Sequence, residues 1–320
     1  SKNKDIIKKY LNGKLLNSNP DQETDRFVID FGERSEESAS EYQDVFAHLE
    51  RTVKPQRMTK AADVRSAPWW QFWRRRGEMY DAIDGLGRVL VHTRVSKMHA
   101  FEFIKPDYVF TDALCVFAIS DNTRFLVLQS SIHDAWACKY SSALETRRRY
   151  SVSDCFVSYP FPKETEENAE LEELGERYHA HRKALMQSLW LGLTKLYNLF
   201  HARDLSPEMV ATVSKMSADT AAVGYEALLE LRRLHVELDI AVRDAYGWHA
   251  LDLEHDFHEV ETLPENDCIR YTISPAARHE VLKRLLAENH TRAEAEAKKP
   301  APKHKRGSHK PKAGADTPDL

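Results

Sequence analysis

The sequence predicts an α+β protein: a mixed strand and helix unit, a mostly α-helical region after it, and a disordered basic tail. Three observations predict this. Between residues 88 and 162, short apolar runs alternate with Arg, Lys, Ser, His and Gln, a pattern suited to strands that carry a polyanion-reading surface. From Leu171 onward, Leu174, Tyr178, Leu185, Leu189, Leu196 and Phe200 recur at helical spacing. Residues 300–320 are rich in Lys, Pro and His and lack the apolar content to pack.

Taken in order, residues 5–11 read as a short amphipathic helix that Asn12-Gly13 ends, since both residue types accept the left-handed conformation. Residues 26–31 read as a strand stopped by Gly32. Ser35 is a helix N-cap followed by acidic residues, with Tyr42, Val45, Phe46 and Leu49 at helical spacing, giving about four turns that end before Pro55. Trp69-Trp-Gln-Phe-Trp73 and Arg74-Arg-Arg76 form the densest aromatic and cationic stretch. Its aromatics either wedge two parts of the fold together or stiffen a loop whose arginines take phosphate. Met79, Tyr80 and Ile83 continue a helix that Gly85 and Gly87 stop.

Val89, Val91, Thr93 and Val95 alternate with Leu90, His92 and Arg94, predicting a strand with one apolar and one mixed face. Residues 101–104 and 113–119 are further strands, the latter central and buried on both faces. Phe125, Leu128, Ile132 and Trp136 predict one helix, with Gln129, His133 and Lys139 off its apolar stripe. Past Pro162 comes a helix of some 35 residues interrupted near Gly192, then a weakly patterned loop from 207 to 224 with a marginal helix. A helix over 225–245, a strand over 269–273 and a final helix from Ser274-Pro275 to about Lys298 complete the chain.

The net charge of −4 hides an uneven distribution: residues 51–105 hold 12 Lys+Arg against 5 Asp+Glu. Such a block suits a phosphate backbone, or is merely solvated. Cys115, Cys138, Cys155 and Cys268 form no Cys-x-x-Cys pair, which argues against zinc or disulfides and fits a reducing cytoplasm. No apolar run approaches the roughly 18 residues that span a bilayer. The first residues, Ser1-Lys-Asn-Lys-Asp5, contain no apolar signal core, so no membrane role and a cytoplasmic location are expected.

Catalysis fails on inventory. No glycine-rich loop joins a strand to a helix. His255-Asp-Phe-His258 lacks a third metal ligand, and Ser130 and Ser131 near His133 lack a nucleophile elbow. Binding fares better. Arg94, Ser96, Lys97 and His99 sit where one strand turns into another. Arg and Lys donate to guanine, while Gln addresses adenine. On this basis Gln129 and His133, one helical turn apart, face the same groove. Alternatively, Arg94 and Lys97 pair with Asp107 or Asp112 inside the fold.

The succession Tyr10-Leu-Asn-Gly13, Arg26-Phe-Val-Ile-Asp-Phe31, Val53-Lys-Pro55, Trp69-Trp-Gln-Phe-Trp73, Arg94-Val-Ser-Lys97, Leu128-Gln-Ser-Ser-Ile-His133, Trp136, Arg149-Tyr150, Ser153-Asp-Cys-Phe156 and Tyr159-Pro-Phe-Pro162 resembles the C-terminal half of MmeI-like DNA methyltransferases of fused restriction-modification systems. Asp244-Ala-Tyr-Gly-Trp248 and Phe257-His258 resemble the same family's helical region. The resemblance implies a linker from a methylase core over 1–59, a target recognition domain over 60–162, a helical domain over 163–298 and a tail over 299–320. It implies double-stranded DNA as partner, and the residues read above supply the candidate contacts: Arg74, Arg76, Arg94, Ser96, Lys97, His99, Gln129, His133 and Lys139. Family members methylate adenine at N6 with S-adenosylmethionine. Neither the glycine-rich cofactor motif nor Asn-Pro-Pro-Tyr/Phe occurs here, so cofactor and catalysis are expected in a separate methylase core.

Overall fold

Residues 7 to 11 form a strand, not the expected helix. In the computed structural model, which describes residues 2–144, 147–163 and 168–298, strand β1 (Ile7–Leu11) has partners on both sides. Helix α1 (Gly13–Ser18) follows, then β2 (Phe27–Ile29), antiparallel to β1 with Ile7 opposite Ile29. Cross-strand partners override a weak local preference for helix. Asn12 is extended and its side chain accepts the Leu15 N–H, so Asn12-Gly13 opens a helix instead of closing one.

Ser35 caps α2 (Glu36–Ser40) as expected, but the chain breaks at Tyr42, whose hydroxyl donates to Asp5 at 2.8 Å. The helical path resumes as α3 (Gln43–Thr52) and α4 (Lys54–Met58), with Pro55 in the first turn of α4, where its missing N–H costs nothing. After α5 (Ala62–Ser66) the aromatic stretch divides. Trp69 and Trp70 pack on a small satellite core of Ile6, Phe31, Ala39 and Tyr42, while Phe72 and Trp73 stay exposed.

Helix α6 (Gly77–Ile83) leads into β3 (Val89–Thr93), which is buried on both faces along its whole length. Next come β4 (Val95–Ser96), β5 (Phe101–Ile104), β6 (Tyr108–Phe110) and β7 (Leu114–Phe117). The strand β6 lies parallel to β1. Sheet order is β5-β3-β7, all antiparallel, so β3 is the central strand and β7 is at the edge, the reverse of the sequence expectation.

The expected single helix over 125–136 is two, α7 (Asn122–Gln129) and α8 (Ser131–Tyr140). Ser130 adopts extended backbone between them and caps α8 through its hydroxyl and the His133 N–H. A hairpin, β8 (Ser142–Leu144) and β9 (Arg147–Arg149), then makes a third sheet ordered β4-β9-β8.

The helical region follows the sequence more closely. Helix α9 (Ala169–Leu189) ends at left-handed Trp190 and α10 (Leu193–Phe200) restarts at Gly192. A Cβ on Gly192 would lie 2.4 Å from the Ser18 carbonyl carbon, so only glycine permits this approach. Helix α11 (Pro207–Ser214) and the early start of α12 (Ala218–Ala245) are regular where a loop was expected. Strands β10 (Asp256–Glu259) and β11 (Ile269–Thr272) form a hairpin, and α13 (Pro275–Lys298) starts at the expected proline. One apolar core runs without interruption from Leu11 to Leu285, drawing on both the strand-rich and the helical residues. Among the described residues no helix is long and apolar enough to cross a membrane. The tail over 299–320 lies outside the described residues.

Candidate nucleic-acid interface

Arg94 is the residue at which the chain changes sheets. Its N–H donates to Ala113 O at 2.8 Å beside β7, and its carbonyl accepts the Tyr150 N–H at 2.8 Å beside β9. From there Val95 pairs with Arg149 and Ser96 with Arg148. Both backbone groups are thus fixed, and the half-buried side chain has a buried Nε with no partner. Neither Asp107 nor Asp112 pairs with it. Arg76, in left-handed backbone, donates to Thr111 O at 3.3 Å. Burial pushes the Cys115 thiol up to about 11, and the charges of Arg94 and Arg76 oppose the rise. The hydrogen bonds to Ala113 O and Thr111 O place both predicted arginines beside the turn that precedes β7.

Ser96 fixes the turn by accepting the Met98 N–H at 3.1 Å, and Lys97 is exposed with its Nζ 3.0 Å from Asp267. Lys139 is exposed in the last turn of α8. Arg74 is exposed and lies over the Trp73 ring at 4.4 Å, while Arg75 pairs with Glu33 at 3.3 Å.

Gln129, His133 and His99 are not on this surface. Gln129 is 1% exposed and has no hydrogen-bonding capacity left. Its oxygen accepts from Phe101 N–H at 3.0 Å and Arg182 Nη1 at 3.1 Å; its amide donates to His99 O at 3.0 Å and the Tyr197 hydroxyl at 3.2 Å. His133 is fully buried, with Nδ1 2.9 Å from Leu128 O and Nε2 3.2 Å from Cys155 O. His99 shares Leu128 O at 2.8 Å and meets His133 Nδ1 at 3.2 Å. Burial pushes His99 down to about 4 and His133 down to about 3, so both rings are neutral at pH 7. These three residues cannot reach a base edge in this fold; they support the surface from below.

Sequence reasoning passed over Arg149, exposed on β9 opposite Val95. The visible signal was the Arg147-Arg-Arg149 triplet. On a strand, neighbours alternate faces, and Arg148 is the inward one, bonded to Asp134 at 2.5 Å and to Cys138 Sγ at 2.6 Å. Burial disfavours both charges of that pair, but Arg148 holds the Asp134 carboxyl far below its usual range.

Ser130 donates to Val127 O, and Ser131 meets His235 Nε2 at 3.2 Å rather than His133. His255 bonds Asp239 at 2.8 Å while His258 bonds Glu254 O at 2.9 Å, so the two imidazoles serve separate partners. Among the described residues no group of three or more His, Cys, Asp and Glu is placed to hold a metal.

No family model matches the chain, and no curated protein matches it. Its fold is similar to part of a solved protein, the Type IIL restriction-modification enzyme MmeI in complex with DNA, with a TM-score of 0.56 over 91% of this chain and 16% identity. The chain spans 32% of that protein's length.

Proposed function

We propose that this chain is the DNA-recognition portion of an adenine-specific N6 DNA methyltransferase, in a restriction-modification or related phage-defence system of the cytoplasm. The observation that carries the reading is Arg94, whose backbone is fixed at a sheet crossing and whose side-chain Nε is buried without a partner, in a fold similar to part of a DNA-bound restriction-modification enzyme. Arg74, Arg76, Lys97, Lys139 and Arg149 supply charge for phosphates around it, and Arg94 is the candidate reader of a base. S-adenosylmethionine binding and methyl transfer, with extrusion of the target adenine, fall to a methylase core that works with this chain.

The test is a duplex titration of the purified chain across a salt series. Affinity that falls steeply with salt supports the reading; no salt-dependent affinity sinks it. A second reading, a scaffold that docks a methylase or nuclease subunit, draws on an open hollow of about 600 Å³ along α12, where Leu229, Val236 and Ile240 line a surface beside Tyr271. Co-purification of such a subunit without DNA, from a chain that does not itself bind duplex, favours it.

A further inference from the structure

Beneath Lys97, at the junction of β9, α8, α10 and β11, lies a cavity of about 40 Å³ whose charged walls are Lys97, Arg148 and Arg270 against one carboxylate, Asp134. Arg148 is committed to Asp134. Arg270 is not fully committed: Nη1 donates to Asp267 at 3.0 Å and Ile269 O at 2.8 Å, while Nη2 is buried with no partner on a side chain only 9% exposed. Asp267 meanwhile divides its two oxygens between Arg270 and Lys97. His201, also on the wall, accepts the Tyr271 N–H at Nδ1, which places the proton of the neutral ring on Nε2. Burial, then the nearby Arg270 charge, keeps that ring neutral. With Asp134 and Asp267 both counted, three cations face two carboxylates, so the cavity keeps one net positive charge together with the unpartnered N–H donors of Arg270 Nη2.

The cavity has room for more than one water-sized group. Water can accept from Arg270 Nη2, but an oxyanion also answers the one positive charge that Lys97, Arg148 and Arg270 together keep over Asp134 and Asp267. A metal cation is opposed by the same charges. We infer that this cavity binds a small tetrahedral oxyanion of phosphate type, held by Arg270 Nη2 from within and by Lys97 at the mouth. The inference does not depend on the DNA-reading proposal, because the site is complete without a duplex. The same chemistry has two sources, free phosphate or a phosphodiester of a strand lying against Lys97.

The full chain, without DNA, is titrated with inorganic phosphate by calorimetry and thermal unfolding, with chloride replaced at constant ionic strength. Saturable binding and a rise in the unfolding midpoint specific to phosphate are expected. Arg270→Gln should weaken binding at least tenfold. Lys97→Met, at an exposed position where folding is not at stake, should weaken it several-fold. Absence of a phosphate-specific response in the unaltered chain overturns the inference, as does Lys97→Met together with a folded Arg270→Gln binding phosphate like the unaltered chain. Adding duplex separates the sources while supporting the site either way: displacement of phosphate assigns it to a strand phosphodiester, simultaneous binding to free anion.

Discussion

Gln129 Oε1 and Arg182 Nη1 lie 3.1 Å apart in the interior, joining α7 to α9. Arg182 also donates to Phe101 O at 2.5 Å, to the Tyr197 hydroxyl at 3.1 Å and to Glu102 at 3.0 Å, and Glu102 bonds His179 at 2.6 Å. Burial would raise the Glu102 carboxyl, but Arg182 and His179 hold it at about 2. This network ties β5 to α7, α9 and α10.

Removing one partner of a fully buried pair leaves the other charge uncompensated. Arg182→Ala should therefore destabilise the protein by about 3–5 kcal/mol in chemical denaturation. Gln129→Ala should cost about 1–3 kcal/mol through the donors and acceptors it strands. At temperatures where Gln129→Ala is still folded, its preference among duplex sequences should match that of the unaltered chain. A changed base preference in the folded variant would contradict the buried role.

The buried histidines make stability acid-sensitive. In the fold, burial lowers His92, His99, His133, His201 and His235, so on acidification the unfolded chain takes up protons first. Their contribution is complete above about pH 6.5 and is lost as pH falls toward the folded values of about 4 for His99 and about 3 for His133. Glu102 adds a second limb, from about 4.5 down to about 2. A urea midpoint measured against pH should be flat from 8 to roughly 7 and decline below it. His92, whose two ring nitrogens both lack partners and whose ring packs on Phe101 and Tyr150, offers the control. His92→Phe should flatten part of the upper limb and leave stability at pH 7 unchanged or higher.

Gly192 and Gly87 should respond oppositely to alanine. At Gly192 the new Cβ would sit 2.4 Å from Ser18 C and 2.6 Å from Asn17 O, backbone atoms that cannot swing aside. Gly192→Ala should cost about 1–3 kcal/mol or more by calorimetry. At Gly87 nothing lies within 4 Å, and alanine should be close to neutral.

What the sequence made legible follows from how local each signal is. The final helix was readable from Ser274-Pro275, and the break near Gly192 from a glycine inside a helical pattern, because caps and breakers act within one turn. Strand β1 was not, since it exists only through pairing with β2 and with β6, about a hundred residues away. Arg94 and Lys97 were legible as cations at a strand turn. The burial of Gln129 was not, because Ser130 splits the helix and resets the phase of its apolar face. Its partner Arg182 comes from α9, 53 residues further along the chain.

If the proposed DNA contacts hold, they divide into two kinds of cation, and a salt series tells them apart. Arg149 is exposed on β9, and Lys97 is engaged only with Asp267, so each can meet a phosphate without disturbing the core. Arg149→Ala and Lys97→Ala should weaken binding to all duplexes alike and reduce the slope of log affinity against log salt by about 1 each. Arg94 differs in having both backbone bonds fixed by two sheets and its Nε buried without a partner. That rigidity suits discrimination between bases, and Arg94→Ala should relax preference at one base pair by about 1–3 kcal/mol while other positions keep theirs. Circular dichroism on the variant guards against simple unfolding. If Arg94→Ala instead lowers the salt slope and spares sequence preference, Arg94 is a phosphate ligand and base reading must lie elsewhere on this face.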